Sequence, residues 1–199
     1  LKINKDIYKD YKNFGKNYFD NSKLPTGYGK YIYDERFKSS AKKIVKYFNL
    51  KKNSKVLEIG CAKGYLLVEF FKIKLDVFGI DVSKYAKKNA HKLIKKKIRL
   101  LNVENGLPFE NNFFDFIIAK DFLPHVSINK IDFVIKEINR VVKNKRNIFL
   151  EIQSFKYKSD FKKFKNFDIT HKSCYSKKEW INTLNKTNYA GSYNIKHLF

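Results

Sequence analysis

Three groups of residues in this chain of 199 carry atoms suited to chemistry. The first is Glu58-Ile59-Gly60-Cys61-Ala62-Lys63-Gly64, where small residues recur at every second position. Small residues let a chain bend sharply and let a ligand approach the main chain. The second is Asp81, a carboxylate that closes an apolar run with Leu75, Val77, Phe78 and Ile80. The third is Asp121 with His125, which follow the apolar run Phe116-Ile117-Ile118-Ala119. A histidine titrates near neutral pH and suits proton removal, and a carboxylate can also serve as general base. The chemistry expected is ligand capture on a backbone loop with a proton acceptor beside it.

Strands and helices must position these groups. Val56, Leu57 and Ile59 read as a buried strand, and Leu66, Leu67, Phe70 and Phe71 recur at helical spacing after the loop. Strand, tight turn and helix in succession leave the free N–H groups of the helix start facing a ligand. A second strand ends at Asp81, and Ser83 can cap a helix over 84–96. Further strands are expected at 98–101, 116–119 and 148–152. Between the last two, Ser127 can cap a helix with Ile131, Val134, Ile135, Ile138, Val141 and Val142 on its apolar face. Upstream, Ile3, Ile7, Tyr11 and Phe14 share one face of a helix within residues 1–20, a turn-rich aromatic segment covers 24–33, and a helix covers 34–49. Downstream, aromatics and lysines interleave over 155–167, where the expectation is a substrate-covering helix. Ser176 and Glu179 form a capping box ahead of Trp180, Ile181 and Leu184, and 191–199 can supply a last strand. Alternating strands and helices predict an α/β fold: a doubly wound, mostly parallel sheet with helices on both faces. Ligands of such sheets sit outside the carboxyl ends of the strands, where Gly60–Gly64, Asp81 and Asp121–His125 all fall.

The spacing E-x-G-x-A-x-G on Glu58, Gly60, Ala62 and Gly64 resembles the first motif of the class I S-adenosylmethionine-dependent methyltransferases, with Ala62 in place of the commoner glycine. Leu107-Pro108-Phe109 followed by Phe114-Asp115, and Glu137 with Arg140-Val141, resemble later stretches of that family in the same order. The family's Pro-Gly-Gly turn is replaced by Asn144-Lys145-Arg146-Asn147, and asparagine tolerates left-handed geometry, so a turn is expected to survive. A dinucleotide fingerprint would need glycine at Tyr65 and fails.

The resemblance covers roughly residues 34–190. It implies a Rossmann-like methyltransferase domain of the small-molecule or sugar type spanning 1–199. Within it would lie a helical cover at 1–50, a cofactor-binding core at 51–153 and a substrate-side segment at 154–199. Because the family ends on an antiparallel pair, the resemblance also implies a sheet lacking its last strand. The cofactor implied is S-adenosyl-L-methionine, held by Glu58, Gly60, Cys61, Ala62, Gly64, Asp81, Val82, Asn102, Val103 and Lys120. Asp81 would accept the ribose hydroxyls and Asn102 the adenine amino group. His125, Asp121 and His171 are the candidate bases. The implied reaction is methyl transfer to an anionic small molecule, the hydroxyl of a sugar or of a nucleotide-linked or phosphorylated metabolite. An RNA methyltransferase using the basic surface and an inactive, cofactor-binding partner subunit are the alternatives.

Composition narrows these classes. The net charge of +24 is nearly all lysine, with arginine only at Arg36, Arg99, Arg140 and Arg146. Arginine is favoured for bidentate phosphate and base contacts, so a lysine-solvated surface is the simpler reading and a nucleic-acid partner the weaker one. No run of about 18 apolar residues exists for a membrane span. Cys61 and Cys174 lie far apart, no sequence cluster has metal-ligand spacing, and reduced thiols with no apolar leader give the expectation of a cytoplasmic protein.

Overall fold

The computed structural model describes residues 4–24 and 26–199. Ile3 and Pro25, both part of the expectations above, lie outside the described residues. In chain order the elements are α1 (Lys5–Lys12), α2 (Lys16–Asp20), α3 (Lys38–Tyr47), β1 (Lys55–Ile59), α4 (Tyr65–Lys72), β2 (Asp76–Asp81) and α5 (Lys84–Lys88). Then follow β3 (Ile98–Leu100), β4 (Phe116–Lys120), α6 (Ile131–Val141), β5 (Ile148–Ser154), α7 (Phe161–Phe167), α8 (Lys177–Lys186) and β6 (Ser192–His197).

The six strands form one sheet in the order β3-β2-β1-β4-β5-β6. All five pairings are parallel. Strand order reverses between β1 and β4, so the switch point lies at the carboxyl ends of those two strands. Period-two alternation divides the core between the faces. Leu57, Ile59, Ile117 and Ala119 join the cluster with Ile135, Ile138 and Trp180. Val56, Phe116 and Ile118 join the cluster with Ala41, Leu67 and Phe70 on the other face. Each such Leu, Ile or Phe, fully buried, contributes about 1.5–3 kcal/mol relative to exposure.

The two later stretches of the resemblance form one clasp. Arg140 donates to the Leu107 and Phe109 carbonyls at 2.8 Å each and pairs with Glu137, whose Oε2 accepts the Leu107 N–H. The Leu-Pro-Phe turn is thereby pinned to α6.

Several expectations are corrected. The N-terminal helix is two helices, α1 and α2, because the chain turns at Phe14 with φ 52 and Asp10 accepts Asn17 N and Nδ2 across the bend. The helix after Ser83 stops at Lys88, and the chain then packs fully buried Ile94 against Gly64. Helix α3 begins at Lys38 rather than at 34, after a turn held by Asp34 and Arg36. Ser127 makes no cap; its hydroxyl donates to Glu104 instead. The turn at 144–147 uses no left-handed residue, and the Asn144 side chain accepts Arg146 N–H. The strand expected within 191–199 is present as β6, which pairs directly and in parallel with β5. Phe155 and Phe164 in the aromatic–lysine stretch are buried, which removes them as a stacking platform for nucleic acid.

Candidate active site

The loop after β1 runs through alternate left-handed residues: Gly60 at φ 69, Ala62 at φ 51 and Gly64 at φ 74. At Gly64 a Cβ would lie 2.3 Å from Ile94 Cδ1, so both geometry and packing demand glycine. Ala62 carries a side chain in this region at a cost of about 1–2 kcal/mol. Backbone bonds hold the loop: Gly60 and Cys61 N–H donate to the Ile80 carbonyl, and Ala62 N–H donates to Asp81 Oδ2 at 2.7 Å. The loop is thus fastened to the carboxyl end of β2.

Three acids stand at adjacent strand ends. Glu58 on β1 is buried, its Oε2 has no partner, and burial pushes its pKa up to about 8. Burial also raises Asp81, although its two oxygens accept Ala62 N–H and Ser83 N–H. Asp121, just past β4, adopts φ 53. Its Oδ2 pairs with Lys196 at 2.9 Å, its Oδ1 is buried without a partner, and burial raises its pKa. A non-glycine residue held in left-handed geometry beside a cavity marks stored strain at a candidate functional site. The unpartnered Asp121 oxygen beside the cavity favours a cationic ligand there.

Asp81 and Asp121 border a cavity of about 550 Å³. Of the residues anticipated from sequence, Gly60, Ala62, Asp81, Val82, Asn102, Val103, Lys120, Asp121 and His125 line it. Glu58, Cys61, Gly64 and His171 are not in its wall. Buried Cys61 packs under Gly79, and burial raises its thiol pKa. Asn102 Oδ1 accepts Glu104 N–H at 3.0 Å, capping a 3₁₀ turn, and Lys120 pairs with Glu151 at 3.4 Å.

The opposite wall carries the histidines. His125 ends a 3₁₀ turn, Leu123–His125, after β4. Its Nδ1 lies 2.9 Å from Thr170 Oγ1, and that hydroxyl is 2.6 Å from Asp168 Oδ1. A carboxylate can only accept, so the Thr170 proton belongs to Asp168 and His125 Nδ1 must be the donor to Thr170. The tautomer follows: Nε2 carries the lone pair. His171 lies against His125 with ring centroids 5.1 Å apart and stacks on Phe164. Neither of its ring nitrogens has a partner. Burial lowers both imidazole pKa values, and His125 lowers that of His171 further, so both rings are neutral near pH 7.

The N-terminal segment closes the site from above. Phe14, Tyr18, Phe19 and Tyr28 line the cavity, and the Tyr28 hydroxyl is influenced by Asp81, Asp121 and Glu58, which with burial push its pKa up. Lys63, inside the small-residue loop, holds this segment through Asp20 and the Tyr31 carbonyl.

Sequence reasoning missed Asp168, Thr170, Tyr28, Asp20 and Lys63. The run Asp168-Ile169-Thr170-His171 held a usable signal, because an aspartate two residues before a threonine commonly accepts its N–H in a local turn, as here at 2.9 Å. The Asp20–Lys63 pairing spans 43 positions and left no local trace.

Residues 57–150 match the methyltransferase domain family. A ubiquinone biosynthesis O-methyltransferase of Pelagibacter ubique is 32% identical over 121 residues, covering 54% of this chain and 48% of that protein. The chain spans about half the length of the curated relatives it matches. The solved YcgJ protein of Bacillus subtilis is 20% identical, with a TM-score of 0.60 over 75% of this chain and 67% of that one. The cyclase SpnF is 18% identical, with a TM-score of 0.60 over 75% of this chain and 56% of that one. Likeness at that distance concerns the fold, and a fold can host more than one chemistry. The match over residues 57–150 and the parallel sheet make the central part of this chain similar in sequence to the methyltransferase domain family and in fold to its solved relatives.

Proposed function

We propose that the chain transfers a methyl group from S-adenosylmethionine to the hydroxyl of a small, anionic molecule. One observation carries this reading: at the switch point, Asp81 and Asp121 line one cavity, and Asp121 Oδ1 is buried there without a partner. A ligand with a cationic centre, a diol and a purine fits those groups. Asp81 would hold the diol, Asn102 and Val103 the purine side, and Gly60 with Ala62 the backbone-facing part, leaving Asp121 for the positive charge. When bound, this cofactor supplies an electrophilic methyl on a sulfonium: the acceptor oxygen forms its bond to carbon as the carbon–sulfur bond breaks, a neutral thioether remains, and the acceptor proton is released.

The protein's own contribution is position and proton removal. Phe14, Tyr18 and Tyr28 form an aromatic wall that would exclude water and orient the acceptor, and orientation supplies much of the rate in such displacements. The proton would leave at the His125 wall, where Thr170 fixes the ring and presents the Nε2 lone pair. An oxygen acceptor agrees with the O-methyltransferase relative. A sugar, nucleotide-linked or phosphorylated acceptor agrees with the lysine-rich surface, which concentrates anions. The test is turnover of radiolabelled S-adenosylmethionine against a panel of phosphorylated and nucleotide-linked hydroxyl compounds. Label transfer to at least one is expected, and cofactor binding without transfer to any would favour a non-catalytic partner subunit.

A further inference from the structure

His125, Asp168 and His171 each offer a ligand atom, and these atoms lie within 4.8 Å of one another. The sequence separates them by 43 and 3 positions, so no ligand spacing announced the cluster. We infer that this cluster binds a divalent transition-metal ion of the zinc type, facing the acceptor half of the cavity.

Four features support a built site. First, ligand atoms remain: Asp168 Oδ1 accepts both Thr170 hydrogen bonds, which leaves Oδ2 with the Tyr11 hydroxyl as neighbour, and His125 uses Nδ1, which leaves Nε2. Second, both ring nitrogens of His171 are buried and unpartnered, a costly state for a polar ring unless a ligand completes it. Third, Thr170 ties Asp168 to His125, the arrangement that orients metal ligands from behind. Fourth, the loop bearing Asp168 and His171 is fastened to the turn bearing His125. Lys172 and Ser173 N–H donate to the Pro124 carbonyl, and Ser173 Oγ donates to the Val126 carbonyl.

Two imidazoles and one carboxylate suit zinc with a fourth position left for a substrate oxygen. Tetrahedral zinc with bonds of about 2.0–2.1 Å places its ligand atoms about 3.3 Å apart, so closure needs side-chain shifts of about an ångström. His125 and Asp168 line the cavity, so that fourth position would face the acceptor. This role rests on the methyl-transfer reading. An acceptor hydroxyl on the ion would release its proton to solvent at neutral pH, and His125 would then act as ligand rather than base. No redox change is involved, and no bond is altered beyond those of the transfer.

The experiment titrates the chelator-stripped chain with Co²⁺, read by visible d–d absorption, and with Zn²⁺, read by calorimetry. S-adenosylhomocysteine binding is measured on the same preparation. One ion per chain is expected, with Zn²⁺ displacing Co²⁺. His171→Ala and His125→Ala should each weaken binding at least about 100-fold, and Thr170→Val about 10-fold to 100-fold. Should an alanine variant fail to fold, His171→Asn, which retains size and polarity, replaces it. Absence of saturable binding, or binding unchanged in the histidine variants, overturns the inference. Intact S-adenosylhomocysteine binding in that case leaves methyl transfer standing with His125 as base. Metal binding without cofactor binding upholds the ion and refutes the methyl-transfer reading.

Discussion

Lys63 places its ammonium 2.7 Å from both carboxylate oxygens of Asp20, joining the small-residue loop after β1 to the N-terminal cover. The Tyr85 hydroxyl donates to the same carboxylate at 2.7 Å, and Lys63 also donates to the Tyr31 carbonyl. The Lys63 side chain is only 6% exposed, so Asp20 is the partner that offsets its burial. Asp20→Asn therefore leaves a buried ammonium unpaired. The expected loss is about 3 kcal/mol, at the low end for buried pairs because Asp20 keeps some solvent contact. Urea denaturation measures it, and limited proteolysis should cut the variant ahead of Tyr31 first.

Asp81→Ala removes the acceptor of the Ala62 and Ser83 N–H groups and the carboxylate expected to hold a ribose. Hydrogen bonds to a charged group contribute about 1.5–3 kcal/mol each, so S-adenosylhomocysteine affinity should fall at least about 10-fold. Calorimetry reads this. The comparison variant Ser83→Ala, which loses the α5 cap, should reduce stability by about 1 kcal/mol and leave affinity unchanged.

Glu58 gives a pH signature. Its folded pKa, raised by burial to about 8, exceeds the unfolded value of 4.5, so between those values the folded state keeps a proton that the unfolded state releases. Stability from this group is complete below the unfolded pKa and is lost as pH rises towards 8. Without ligand, the wild-type Tm should fall between pH 5 and pH 8 more steeply than that of Glu58→Gln.

How much of this was legible beforehand differs element by element. Strands β1, β2 and β4 and the loop at Gly60–Gly64 were readable because continuous apolar runs and small residues are local signals. The division at Phe14 was not, because it depends on Asp10 reaching Asn17 across the bend. The shortened α5 was missed because its end is set by Ile94 packing against Gly64, 30 positions away. In the site, His125 and His171 were visible as residue types, whereas the Asp168–Thr170–His125 chain required the loop after α7 to fold back onto the turn after β4.

His125→Ala should lower kcat by about 10²–10⁴-fold once an acceptor is identified, the range for removing an acid–base group. S-adenosylhomocysteine affinity should be unchanged, because His125 lies on the acceptor wall. A fall in affinity matching the fall in kcat would place His125 in the cofactor pocket instead.

The central claim is tested most directly by calorimetric titration of the wild-type chain with S-adenosylhomocysteine, with NAD as control. A ligand bound by the folded state alone also raises apparent stability, so a thermal shift should accompany the heat signal. The account predicts saturable 1:1 binding of S-adenosylhomocysteine that is weakened at least about 10-fold in Asp81→Ala, with none for NAD. No binding of S-adenosylhomocysteine up to about 1 mM, equivalent to a binding free energy weaker than about −4 kcal/mol, would contradict it.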